Sequence, residues 1–292
     1  MSENSSGIVK KLILGTAQFG MDYGITNLSG KPTKKEVFNI LSLAWKKGIR
    51  HFDTAPSYGS ENLLGEFIAA NGLQSEIKIL TKIPSTNGAS DYYQKIQSSI
   101  ESSLKKLGCK IEVLFFHDPK DSELLMNNPS FFKSLLDEYP VSTLGVSVYE
   151  PHEVEKLSIC GLELAFQFPF NILDRRFEKI TIPSGRRYAR SILLQGLLAS
   201  ANGLRTDAPA ELLEINNLYH KLLKDYNINP VNFAVSFVTY SSCVDYFLVG
   251  VELEKQLIDI LNIEFDILQD LAFLDPLLSN VSEKWLDPRS WS

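Results

Sequence analysis

The sequence predicts an α/β fold, a (β/α)8 TIM barrel built as a single domain. The barrel is expected over about residues 11–262, with a C-terminal extension over about 263–292. Three observations carry this. From about residue 11 the chain alternates short apolar runs with amphipathic segments, the pattern of a parallel sheet wrapped by helices. Eight such apolar runs can be counted, and eight strands close a barrel that leaves no sheet edge to protect. The 292 residues suit a fold that commonly uses roughly 250 residues as one unit.

Lys11 to Leu14 reads as the first strand. Thr33-Lys34-Lys35-Glu36 has the form of a capping box, and Val37, Ile40, Leu41 and Ala44 then make a helical stripe that stops at Gly48. Ile49 to Asp53 is the second strand. Ser60 is placed to cap a helix in which Leu63, Leu64, Phe67 and Ile68 share a face, and Ile77 to Thr81 follows as the third strand. Ile96, Ile100, Leu104 and Leu107 mark a helix ended by Gly108. Ile111 to Phe116, Val141 to Val146, Leu162 to Phe168 and Ser191 to Leu194 are the fourth to seventh strands. After a polar loop from Ser200 to Pro209, Leu212, Ile215, Leu218, Tyr219 and Leu222 form a helix, and Asn229-Pro230 opens another that runs to about Tyr240. Tyr246 to Val249 is the eighth strand, with Leu257 to Leu261 on its helix. The apolar extension, with Trp285 and Trp291, would either pack on the outer helices or fold over the barrel mouth.

Composition excludes several classes. A formal net charge of −6 and the scattering of Lys pairs such as Lys10-Lys11 and Lys105-Lys106 argue against a nucleic-acid partner. Cys109, Cys160 and Cys243 are an odd set with no Cys-x-x-Cys spacing, which predicts free thiols and no metal site. No apolar run approaches 18 residues and the first residues are polar, so no membrane association is expected and a cytoplasmic location is. The partner expected is a small molecule, and nothing in the sequence signals an oligomeric state.

The chemistry lies at the strand ends. Asp53 and Tyr58 follow the second strand, Lys82 the third and His117 the fourth, all on the face where barrels of this kind do their chemistry. A nearby ammonium stabilises a phenolate and lowers the phenol's pKa, a carboxylate keeps the ammonium charged and oriented, and a histidine can orient a substrate oxygen. Together they make a proton donor for an oxygen that gains negative charge, as carbonyl reduction by hydride requires. No side chain supplies hydride, so a nicotinamide cofactor is implied.

These motifs resemble the aldo/keto reductase family over about Leu12 to Asn262: Leu14-Gly15-Thr16-Ala17-Gln18-Phe19-Gly20 after the first strand, then Phe52-Asp53-Thr54-Ala55, Tyr58-Gly59, Glu61 and Leu64-Gly65. The resemblance implies an NAD(P)H-dependent reductase of aldehydes or ketones, possibly sugar-derived, in which Tyr58 is the proton donor. It further implies cofactor contacts at Gly15, Thr16, Asp53, Ser147, Gln167, Ser191, Leu193, Gly196, Gly250, Glu252 and Gln256. Phe19, Tyr23, His117, Trp285 and Trp291 are candidates for substrate contact. Two positions depart from the family pattern: Val148, where Asn is usual, and Glu252, where many members carry Arg. NADP(H) is the family default, and Glu252, which would repel a 2′-phosphate, leaves NAD(H) open, with Lys255 a possible compensating charge. A nucleotide-binding regulatory or scaffold protein of the same fold is the alternative function, and a Schiff-base lyase using Lys82 a more distant one.

Overall fold

A computed structural model describes residues 3–27, 30–182, 185–201, 204–205, 208–263, 271–279 and 281–291. Residues 264–270 of the expected extension and part of the Ser200–Pro209 loop lie outside the described residues. Eight parallel strands close into a barrel in sequence order: β1 (Leu12–Gly15), β2 (His51–Asp53), β3 (Lys78–Ile83), β4 (Ile111–Phe116), β5 (Val141–Ser147), β6 (Leu164–Pro169), β7 (Arg187–Arg190) and β8 (Tyr246–Gly250). The circle is completed by β8 against β1, with Gly15 opposite Gly250. Helices connect most successive strands, so the (β/α)8 barrel is what the chain forms.

The helices form where their boundary signals stand. Thr33 and Glu36 make a reciprocal capping box for the helix Lys34–Lys46, with the Thr33 amide donating to Glu36 at 2.7 Å. The Asn229 side chain accepts from the Asn232 amide at 3.0 Å ahead of Pro230 in the helix Pro230–Tyr240. Ser60 does not act as the expected cap for Glu61–Asn71. Its hydroxyl is buried and pairs with those of Thr16 at 2.8 Å and Thr54 at 2.9 Å.

The seventh strand differs most from expectation. It runs over Arg187–Arg190, and the apolar stretch Ser191 to Leu194 follows it as a loop with left-handed backbone at Ser191 (φ 58°), Leu194 (φ 44°) and Gln195 (φ 53°). Apolarity there reflects burial in a second core, not a strand. Leu194, Leu197 and Leu198 pack with Ile25, Leu212, Tyr219, Trp285 and Leu286, which fastens this loop to the helix Ala210–Asp225 and to the C-terminal segment. Shorter elements that the sequence did not mark include the helices Glu3–Lys11, Pro129–Glu138 and Pro151–Leu157.

Two packed layers hold the barrel. Between sheet and helices lies a large apolar core that includes Leu12, Leu14, Phe52, Ile79, Leu114, Phe116 and Val146 with Ile40, Phe67, Ile100 and Phe132 from the helices. Inside the barrel Ile13, Leu80, Val113, Phe115, Ala165 and Tyr188 fill the axis. Gly145 makes room for the Phe115 ring, which a Cβ at that position would meet at 2.6 Å.

Glu61, at the start of its helix and 2% exposed, accepts from the Thr81 hydroxyl at 3.0 Å and pairs with Lys106 at 3.1 Å. One turn on, Gly65 lets the helix Tyr92–Leu107 approach so closely that a Cβ would collide with the Lys106 carbonyl oxygen. Gly65→Ala is therefore expected to destabilise the protein by about 1–3 kcal/mol, the usual cost of overpacking, measured as a lower urea midpoint with an unchanged slope.

Candidate active site

The period of two along a strand builds the site. Leu80, Ala165 and Tyr188 point into the barrel axis; two residues further on, the same face carries Lys82, Gln167 and Arg190. Phe115 is followed in the same way by His117, just past the end of β4. With Asp53 at the end of β2 and Ser147 at the end of β5, these side chains share one cavity of about 630 Å³ at the C-terminal mouth of the barrel.

Asp53 and Lys82 form its floor. The Lys82 ammonium, 1% exposed, donates to Asp53 Oδ1 at 2.7 Å, to Asp53 Oδ2 at 2.8 Å and to the Thr54 carbonyl at 3.0 Å. All three of its donors are thereby met. Asp53 Oδ2 also accepts from the Gln167 amide at 3.0 Å. Burial alone would push the Lys82 ammonium down, but Asp53, followed by Tyr58, holds it above its ordinary value.

Tyr58 lies over this pair, with Lys82 Nζ 4.8 Å from its ring centroid. It ends the short turn Pro56–Tyr58, closed by Gly59 in the left-handed region (φ 73°). Gly20 seats that turn, because a Cβ there would collide with the Tyr58 carbonyl. The His117 ring stands edge-on to Tyr58 with centroids 6.0 Å apart. The expected lowering of the phenol's pKa is not what the free protein has: burial raises it, Lys82 opposes, and burial prevails. His117 is driven down to about 4, first by burial and then by the charges of Lys82 and Arg190. It is neutral at neutral pH and can offer one N–H to a substrate oxygen.

The structure brings most of the predicted cofactor residues to this cavity. Gly15, Asp53, Ser147, Gln167, Ser191, Leu193, Gly196, Gly250, Glu252 and Gln256 line it. Thr16 does not; it is fully buried behind the wall, where its hydroxyl donates to the Asp53 carbonyl at 2.9 Å. Val148 is buried in the apolar core beneath β5, and Lys255 is engaged with Asp259 at 2.6 Å on the surface.

Of the substrate candidates, Tyr23 and His117 line the cavity, the Tyr23 phenol pushed up to about 12 by burial and then by Tyr58. Phe19, Trp285 and Trp291 do not line it. Phe19 is packed in the outer core. Trp285 lies in the second core, and Trp291 packs against that core while its indole donates to the Trp285 carbonyl at 3.2 Å. The extension does reach the mouth, but through Asp287, Pro288 and Arg289. Tyr149, Arg190, Asp287 and Arg289 are wall residues that sequence reading missed. For Arg190 a signal existed, the two-residue step beyond an inward-facing Tyr188.

Among the described residues there is no group of three or more His, Cys, Asp or Glu that could hold a metal ion, and no helix is long and apolar enough to cross a membrane.

The model of the aldo/keto reductase family matches residues 11–270. An uncharacterised oxidoreductase, YrpG, of Bacillus subtilis is 27% identical over 86% of this chain and 86% of its own. Pyridoxal 4-dehydrogenase of Microbacterium luteolum is 24% identical over 85% of this chain and 87% of its own. The solved structure of glycerol dehydrogenase AKR11B4 from Gluconobacter oxydans superposes with a TM-score of 0.69 at 21% identity, covering 95% of this chain and 93% of that one.

The depressed value of His117 carries a test of the site's burial. Between about pH 4 and 6.5 the unfolded chain binds a proton at His117 that the folded protein does not. Stability must therefore rise with pH through this window and fall on acidification. His51 and His220 are shifted downward too, so the difference from wild type isolates the contribution: His117→Gln should flatten the pH dependence of the unfolding free energy between pH 4 and 6.5. An unchanged slope would contradict a buried neutral His117.

Proposed function

This chain belongs to the aldo/keto reductase family and is an oxidoreductase; on that premise we propose that it reduces an aldehyde or ketone to an alcohol in the cytoplasm, with Tyr58 as the proton donor and a nicotinamide nucleotide as the co-substrate. The observation that carries the reading is the stack of Asp53, Lys82 and Tyr58 beneath a neutral His117, all facing one cavity.

A bound dihydronicotinamide nucleotide would supply the hydride that no side chain offers. The cavity suits one: it extends from Tyr58 to Gln256 and Asp259, and its volume of about 630 Å³ falls within the roughly 300–1,000 Å³ usual for cofactor and ligand sites. Gly15, Ser191, Leu193, Gly196, Gly250 and Gln256 would hold the nucleotide, with Ser147 towards the nicotinamide. Gln167 is already committed to Asp53 through its amide N–H, which leaves its carbonyl oxygen for a carboxamide.

The protein's own steps follow from the geometry. His117, uncharged, donates a hydrogen bond to the carbonyl oxygen and aims it at Tyr58. As negative charge builds on that oxygen, the Tyr58 hydroxyl gives up its proton. The phenolate left behind lies beside the Lys82 ammonium, which Asp53 keeps charged. Burial makes the phenol a poor acid in the free protein, so proton release is favoured only when a developing oxyanion takes it. Such general acid catalysis is typically worth about 10²- to 10⁴-fold.

For the nucleotide, NAD(H) is the preferred reading over the family default of NADP(H). Glu252 and Asp259 line the far end of the cavity. Burial first and the negative charge of Asp22 second push the Glu252 carboxyl up, and a 2′-phosphate would add a further negative charge beside these two carboxylates. Lys255, the cation in sequence that might have offset this, is held by Asp259.

Two outcomes are expected. Tyr58→Phe should lower kcat for carbonyl reduction by about 10²- to 10⁴-fold while the dissociation constant for the nucleotide, read by calorimetry, stays within a factor of a few; undiminished turnover would remove Tyr58 from the role of donor. Wild type should bind NADH at least tenfold more tightly than NADPH, and Glu252→Arg should narrow or invert that ratio. Equal binding of the two by wild type would refute the assignment to NAD(H).

A further inference from the structure

Resting on the reductase reading, we propose that the substrate's carbonyl compound also carries an oxyanion, a carboxylate or phosphate, and that Arg190 is the residue that receives it across the cavity from Tyr58. Arg190 ends β7 in the same inward layer as Lys82 and Gln167 and lines the cavity with Tyr58, His117 and Tyr23. Its charge is felt by all three of those side chains, which places the guanidinium at the carbonyl end.

The pairing around it is incomplete. Arg190 donates to the Val148 carbonyl at 3.2 Å and lies 4.0 Å from the Tyr149 ring centroid. Arg289, from the C-terminal segment, lies 3.2 Å from the centroid of the same ring. The carboxylate nearby, Asp287, is taken by Arg289: Nε donates to its two oxygens at 3.0 and 2.9 Å, Nη2 to one at 2.6 Å, and the Arg289 amide to the other at 3.0 Å. The hydrogen bonds to Asp287 thus all come from Arg289, and among the described residues Arg190 forms no ion pair.

Counting charges gives the same direction. Among the groups that line the carbonyl end, Asp53 and Lys82 cancel and His117 is neutral, so Arg190, Arg289 and Asp287 leave one positive charge in excess, with Asp118 and Glu153 acting on His117 and Arg289 from outside the lining. Glu252 makes the opposite end negative, Asp259 there being paired with Lys255. A cavity polarised in this sense draws an anion towards Tyr58 and away from Glu252. The planar fork of an arginine already stacked on a phenol ring is preorganised for the two oxygens of a carboxylate or phosphate. Bound there, the anion would fix which way round the substrate enters.

A matched pair of aldehydes tests this. 4-Carboxybenzaldehyde and 4-carbamoylbenzaldehyde differ little in size and shape but differ by one charge. Binding of each would be measured by calorimetry with oxidised nucleotide present, and kcat/KM with reduced nucleotide. Wild type should favour the carboxylate at least tenfold, the preference should shrink as salt is raised, and Arg190→Gln should reduce it at least tenfold with Arg190→Lys intermediate. The salt dependence needs no variant, so a misfolded substitution does not spare the proposal. Equal affinity of wild type for the two aldehydes would overturn it. So would an Arg190→Gln protein that loses affinity for nucleotide and for both aldehydes by one common factor, since Arg190 would then serve the cofactor's phosphates. Carboxylate-selective binding without turnover of either aldehyde would leave Arg190 an anion site and defeat the reductase reading alone.

Discussion

The buried ion pair of Asp53 and Lys82 is the interaction on which the rest of this molecule depends. Both side chains are withdrawn from water, and taking two charges out of water is costly unless the geometry returns the loss. Here it does: every Lys82 donor has an acceptor, and Asp53 has a further donor in Gln167. The three side chains come from β2, β3 and β6, so the pair binds strands from different parts of the barrel as well as neutralising itself. Removal of one member of such a pair typically costs about 3–5 kcal/mol, because the survivor is left buried and unpaired. That cost explains why the floor is built so fully around it, down to the Thr16 hydroxyl that holds the Asp53 carbonyl.

The pair also sets the electrostatics above it. It is neutral overall, yet it presents the ammonium towards Tyr58 and keeps the carboxylate below. A phenolate left by proton transfer then faces a cation rather than the carboxylate. Burial, reinforced by the same ammonium and by Arg190, keeps His117 from charging at neutral pH. Burial therefore sets both protonation states, and the one lysine acts on them in opposite senses: it works against burial at the phenol and with it at the imidazole. The segregation of charge along the cavity, positive at Arg190 and negative at Glu252, is a second level built on that neutral floor.

Much of this was legible in the sequence, and for stated reasons. The apolar runs other than the seventh, the Thr33 capping box and the Asn229-Pro230 start are local signals with local causes, and the elements they mark are present. Asp53, Tyr58, Lys82 and His117 could be placed because each follows a strand at the barrel mouth. What could not be read depends on contacts distant in sequence. Ser60 looked like a cap but serves Thr16 and Thr54. The aromatic residues Phe19 and Trp285 looked like pocket walls but fill cores, which is the commoner fate of large apolar side chains. The acidity of Tyr58 was misjudged because proximity to Lys82 is visible in sequence order while burial is not.

Placing the seventh strand four residues late hid Arg190, and the reason lies in the loop that follows. Ser191, Leu194 and Gln195 hold left-handed backbone without being glycine, at a typical cost of about 1–3 kcal/mol each. The apolar residues that made this stretch look like a strand are what offset that cost. They bury Leu194, Leu197 and Leu198 against Ile25 and the helix Ala210–Asp225. Asn171 anchors the Ser191 carbonyl at 3.1 Å, and the Ile25 amide anchors that of Gln195 at 3.2 Å. Gly196 lies so close to Thr26 that any side chain would collide. Backbone strain that persists under this many constraints is preorganised, and a loop already shaped before its ligand arrives need not be ordered by it. Hydrophobic burial outside the barrel thus sets the cavity wall inside it, and it does so at the point where Arg190 leaves the sheet.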